Sequence, residues 1–226
     1  MPASDAPPVL LLHGFAASAD RTWRDNGWVD LLGDLGREVL AVDLLGHGDA
    51  DKPHDPEAYA DLEARVADAL PSGPVDAVAF SLGARVLLRL AAEDPTRFRR
   101  IVVAGVGDNL FRRDDSEPIA RAIAEGPGED DRVGQHFALL AAAPGNDPLA
   151  LAACLRRPST PLTVDELGRI DRPVLVVLGD RDFAGPADPL LAALPDARLA
   201  TLRNVDHFAT PKAMGFLDAA LDFLEA

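Results

Sequence analysis

The chain has 226 residues, 48% hydrophobic and 26% charged, a balance that buries a sizeable core without help from metal or disulfide. Acidic residues outnumber basic ones 37 to 22, and the formal net charge of −15 works against encounter with nucleic acid or an anionic lipid surface. Cys154 is the sole cysteine, so no internal disulfide forms and no oxidising compartment is implied. Before Val9 there is no basic leader, and the Val9–Leu12 run is too short to span a bilayer, so a cytoplasmic location is expected.

In chain order, six apolar, often β-branched stretches read as strands: Val9–Leu12, Glu38–Val42, Val75–Phe80, Ile101–Ala104, Val174–Leu178 and Arg198–Leu202. Most are continuous rather than alternating, as expected for parallel strands covered on both faces. Helical patterns lie between them at Trp28–Leu35, Glu57–Leu70, Leu82–Ala92 and Lys212–Leu224. The expectation is a single α/β domain over residues 1–226, with a mostly parallel sheet of about six strands flanked by helices. Residues 108–171 break the rhythm. They carry no strand pattern, only helical segments interrupted by Pro118, Gly126-Pro127-Gly128, Pro144-Gly145 and Pro158, and read as a small helical lid insertion.

Val75–Ala84 has the pattern of a strand, a sharp turn and a helix, with Ser81 at the turn. A serine so placed is lifted above the carboxyl edge of the sheet, beside a helix N-terminus whose free N–H groups favour negative charge. An ordinary helix N-cap explains Ser81 equally well at this point. Two later segments end on the same sheet edge. Val174–Phe183 is a buried strand ending in Gly-Asp-Arg-Asp, and Asn204–Phe208 follows the last strand with His207. The chain order is then Ser, Asp, His, with Asp180, Asp182 and Asp108 as candidates for the acid. In such a set the histidine takes the serine proton and the carboxylate holds the imidazole in one tautomer. The other histidines have plainer readings: His13 as a buried turn residue, His47 and His54 in the loop after the second strand, His136 in the insertion.

The motifs His13-Gly14-Phe15, Asp43–Pro53, Phe80–Ala84, Gly179–Asp182 and Asp206-His207-Phe208 together resemble the α/β-hydrolase superfamily from Val9 to the C-terminus. The resemblance implies a catalytic set of Ser81, Asp182 and His207, the acid lying three residues after Gly179. It implies an oxyanion hole from the backbone N–H groups of Phe15 and Leu82, and a non-catalytic packing role for the Asp43–Gly48 turn. Ala79 and Asp206 stand where the family usually has glycine, and with eight residues before Val9 the family's opening strands are expected to be missing. Epoxide hydrolases and haloalkane dehalogenases of this fold attack with aspartate, which Ser81 is not. The implied activity is hydrolysis of small carboxylic esters, with a small-molecule ester and water as partners and no cofactor or metal. Alternatives are C–C bond hydrolysis of vinylogous diketones and a ligand-binding or signalling protein with slow or no turnover. Phe111, Phe137, Phe183 and Phe208, with Phe15, are candidate pocket walls.

Overall fold

The computed structural model describes residues 6–112 and 115–225. Six strands form one sheet: β1 (Val9–Leu12), β2 (Val39–Val42), β3 (Val75–Phe80), β4 (Phe98–Ala104), β5 (Val174–Gly179) and β6 (Ala197–Leu202). Their order is β2-β1-β3-β4-β5-β6, and every pairing is parallel. Although β1, β3 and β5 are buried along their whole length, alternate residues serve different cores. Leu10, Leu12, Ala77, Ala79, Val176 and Leu178 pack on one face, while Val9, Leu11, Val78, Phe80 and Val177 pack on the other. That period of two within an unbroken apolar run is the signature of a sheet sandwiched between helix layers.

On the first face lie α2 (Ala64–Ala69), α3 (Leu82–Glu93) and α8 (Asp188–Ala193). On the second lie α1 (Trp28–Asp34) and α9 (Met214–Leu224), joined through Trp23, Trp28 and Phe216, whose rings meet 4.8 to 6.3 Å apart. Between β4 and β5 come α4 (Glu117–Glu125), α5 (Arg132–Ala141), α6 (Pro148–Arg156) and the short α7 (Val164–Leu167), with no strand among the described residues of that stretch. Helices α4 to α6 share a small core of their own, built from Ala120, Ile123, Ala141, Leu151 and Ala152.

One expected element is broken. The helix read over Glu57–Leu70 resolves into a 3-10 turn, Pro56–Tyr59, and the separate α2. Tyr59 is fully buried and its hydroxyl donates to the Pro53 carbonyl at 2.7 Å, so this turn is drawn into the core. Asp61 Oδ1 then accepts from Ala64 N–H at 2.9 Å and begins a new helix. Similarly, the last helix starts at Met214, after a 3-10 turn over Thr210–Lys212.

At the amino end of the strands sits a buried ion network. Asp76 in β3 is wholly inaccessible and accepts from Arg37 and from Arg99, whose Nε lies 2.9 Å from Oδ1. Arg37 also donates to the Pro7 carbonyl and Arg99 to that of Leu224, so one carboxylate ties both chain ends to the sheet.

The register aligns the carboxyl ends: Leu12 pairs with Ala79 and Phe80 with Ala104. The chain passes from β1 to β2 on one side, then returns to place β3 on the other. This reversal of strand order between β1 and β3 is the usual place for a ligand in an open α/β sheet.

Candidate active site

Ser81 follows β3 directly and adopts φ +51°, ψ −110°, a left-handed conformation costly for a residue with a Cβ. Its N–H donates to Ala104 O at 2.9 Å, and Gly83 N–H donates to His13 O at 3.1 Å, pinning the turn between β1 and β4. The small residue demanded by this turn is Gly83, where a Cβ would fall 2.6 Å from the carbonyl oxygens of both His13 and Leu12. Ala79, two residues before the serine, presents no such conflict; its methyl is fully buried in the core.

The Ser81 side chain makes no cap bond to α3, which sets the N-cap reading aside. Instead its Oγ lies 2.9 Å from His207 Nε2. His207 Nδ1 lies 2.9 and 3.0 Å from the two oxygens of Asp182. An ionised carboxylate only accepts, so Nδ1 carries the proton and Nε2 faces the serine as an acceptor. Asp182 has no exposed side-chain surface and is oriented further by Ala184 N–H, which donates to Oδ1 at 2.8 Å. The rival acids are engaged elsewhere. Asp180 accepts from Asn204 N–H at 2.7 Å, and Asp108 pairs with Arg112. Asp206 accepts from Ala209 N–H at 2.9 Å and shapes the turn after His207.

Beside this line are two unspent donors. Among the described residues neither Phe15 N–H, in the loop after β1, nor Leu82 N–H, at the start of α3, donates to any protein acceptor. Leu82 N–H is one of the orphan donors that any helix start leaves, and here it adjoins a partly exposed hydroxyl.

The loop beneath is built on two buried histidines. His13 Nδ1–H donates to Gly14 O at 2.8 Å, and its Nε2 accepts from Leu44 N–H at 3.1 Å. Burial lowers its pKa against the raising pull of the Gly14 carbonyl and Asp43, so the 3.6 Å approach to Asp43 is not an ion pair. His47 lies 5.2 Å from His13 with the rings tilted by 52°, and meets Phe15 edge-on at 5.7 Å. Burial, then the neighbouring His13, pushes His47 down to about 3, against the opposing Leu45 carbonyl and Asp43. Both rings are neutral structural supports. Asp43 itself accepts from Ala19 and Asp49 N–H groups, bracing the same turn.

Aromatic rings run in a row past His207. Phe15 and Phe137 lie 6.2 Å apart, Phe137 and Phe208 6.2 Å, and Phe208 and Phe183 6.1 Å. Phe183 packs on His207 at 4.3 Å yet is 59% exposed, and Phe208 is 42% exposed. Phe111, expected with them, is partly buried against the main core like Phe15, and it enters none of these ring pairs. His136 joins the row unforeseen, 4.3 Å from Phe208. Gly105 also went unrecognised. At φ +66° it follows β4, and a Cβ there would sit 2.6 Å from Phe80 and 3.0 Å from His207 Cε1. A shallow depression behind Asp182, between Gly185 and Thr201, includes neither Ser81 nor His207 in its walls. Among the described residues no cluster of three or more His, Cys, Asp or Glu is poised to hold a metal ion, and no helix is long and apolar enough to cross a membrane.

Comparison with known proteins agrees with this architecture. The chain is 28% identical to a pimeloyl-[acyl-carrier protein] methyl ester esterase of Nitrosomonas europaea, over 90% of this chain and 89% of that one. It is also 28% identical to a haloalkane dehalogenase of Mycolicibacterium paratuberculosis, over 85% and 74% of the two chains. An enol-lactonase from Burkholderia xenovorans superposes with a TM-score of 0.75 at 21% identity, covering 99% of this chain and 93% of that one. Residues 9–223 match the Alpha/beta hydrolase family, and the chain belongs to it.

Proposed function

We propose that the protein is a serine hydrolase that cleaves small carboxylic esters through an acyl-enzyme. The observation that carries this reading is the unbroken line from Asp182 through His207 to the Ser81 hydroxyl, with 2.9 Å at each nearest contact. Ser81 Oγ attacks the ester carbonyl as His207 Nε2 takes its proton, and Asp182 stabilises the imidazolium that results. The oxyanion of the tetrahedral intermediate is received by the free N–H groups of Phe15 and Leu82. His207 returns the proton to the departing alkoxide, releasing the alcohol and leaving the acyl group on Ser81. Water then repeats the sequence, giving the acid and free serine. The dehalogenase relative points to a different chemistry, but that attack needs a carboxylate where this chain has Ser81.

A fluorophosphonate probe tests the reading. Stoichiometric labelling of Ser81, with turnover of short p-nitrophenyl esters, is expected; folded protein that neither labels nor turns over refutes it.

A further inference from the structure

The segment that would present the Phe15 donor does not hold its own shape. Ala16, the next residue, sits at φ +55°, a left-handed conformation that a Cβ penalises. Its surroundings must hold it there, and they come from the insertion, 130 residues away in the chain. Asn146, in the turn between α5 and α6, donates one side-chain N–H to Ala16 O and the other to Leu140 O, both at 3.0 Å. Both partners are carbonyl oxygens, so the amide has only one workable orientation. The Ala16 methyl, 5% exposed, is packed into the small core shared by α4, α5 and α6, together with Phe15 and Phe137. The same turn is tied down on either side. Arg21 donates to the Pro144 carbonyl, and His54 Nε2 lies 2.9 Å from Asp147 Oδ2. Both the carbonyl and the side chain of Ala16 are therefore gripped by the insertion, while Phe15 N–H beside it remains free.

We infer that Asn146 is a positioning residue for the oxyanion hole: it seats the insertion on Ala16 and thereby fixes the peptide that carries the Phe15 donor. The inference rests on the serine hydrolase reading above. On this account the insertion is part of the catalytic scaffold and not only a cover over the substrate.

The test compares Asn146→Ala and Asn146→Asp with wild type, each rate normalised to active sites titrated to completion with a fluorophosphonate, so that misfolded molecules drop out. Hydrolysis of p-nitrophenyl butyrate is expected to lose about 10- to 100-fold in kcat with KM changed less than about threefold, as for a misaimed oxyanion donor. An arylboronic acid, whose adduct on Ser81 carries the tetrahedral charge, is expected to weaken in parallel with kcat/KM. Asn146→Gln keeps the amide on a longer arm and is expected to recover part of both. It also provides the reading should the other two variants fail to fold. A fall in melting temperature with normalised kcat and boronate affinity unchanged means that Asn146 is only structural and overturns the inference. Wild type that neither labels nor turns over sinks the hydrolase reading, and this inference falls with it.

Discussion

Two buried neutral imidazoles beneath the site make the fold sensitive to acid, and His47 is the one to perturb. Its pKa is about 3 in the folded chain against 6.5 as a free side chain. Above 6.5 neither the folded nor the unfolded state holds the proton, and the stability is undiminished. As pH falls below 6.5 the unfolded chain binds a proton that the folded chain refuses, so stability drains away until about pH 3. The slope is about 1.4 kcal/mol per pH unit, or about 2 kcal/mol between pH 7 and pH 5 for this one group. His13 is depressed by burial in the same direction and adds to the loss. In a domain of this size 2 kcal/mol corresponds to about 4–8 °C in melting temperature. His47→Asn replaces the titrating ring with an amide that still reaches toward the Leu45 carbonyl. Melting temperatures by circular dichroism at pH 7 and pH 5, at equal ionic strength, give the drop for each protein. The variant starts lower because a ring has been lost from the packing, but its drop on acidification is expected to be smaller by about 4–8 °C. Parallel drops in the two proteins would refute the claim that His47 is held neutral. Retention of an unprotonated His47 ring signal down to pH 4 in the NMR spectrum of the wild type provides an independent check.

Ser81→Ala is expected to reduce ester hydrolysis by about 10⁴-fold or more without unfolding the chain, because its side chain makes no cap bond; kcat on p-nitrophenyl acetate measures it. Asp182→Asn is expected to lower kcat by about 10⁴-fold through the wrong imidazole tautomer, whereas Asp180→Asn changes it less than tenfold; the reverse ranking would show the acid to be misassigned. Asp76→Asn leaves the buried Arg37 without its counter-charge and is expected to cost about 3–5 kcal/mol in urea denaturation, while kcat per titrated site is preserved. Gly105→Ala drives a methyl against Phe80 and His207, and is expected to lower both melting temperature and kcat.

Much of this architecture was legible in the residues because its signals are local. Most strands were visible as unbroken apolar runs; Ser81 follows one directly, while Asp182 lies three residues past Gly179 and His207 five past Leu202. What stayed hidden depends on partners distant in sequence. The pattern over Glu57–Leu70 is helical in period, but nothing in it reveals that Tyr59 reaches back to Pro53 and breaks the helix. Asp180 and Asp182 differ by two positions and share a chemistry. They are separated only by which N–H or imidazole the folded loop offers them. Asn146 is a polar residue in a polar turn, and the positive φ of Ala16 leaves no mark in composition. Phe111 was grouped with the other rings by residue type, yet it enters none of the ring pairs beside His207.

Because every strand runs the same way, the Asp76 network lies at one rim of the sheet and Ser81 at the other. Heritable change can therefore fall on the two rims separately. Loops at the carboxyl rim are free to drift toward new substrates while the arginine-clasped rim keeps the molecule folded. Variants that have worn down their stability in the course of such drift are best rescued by reinforcing the Asp76 rim, far from any atom that meets substrate. In directed evolution of this scaffold that rim is the place to add robustness before the libraries are made, and the last place to randomise.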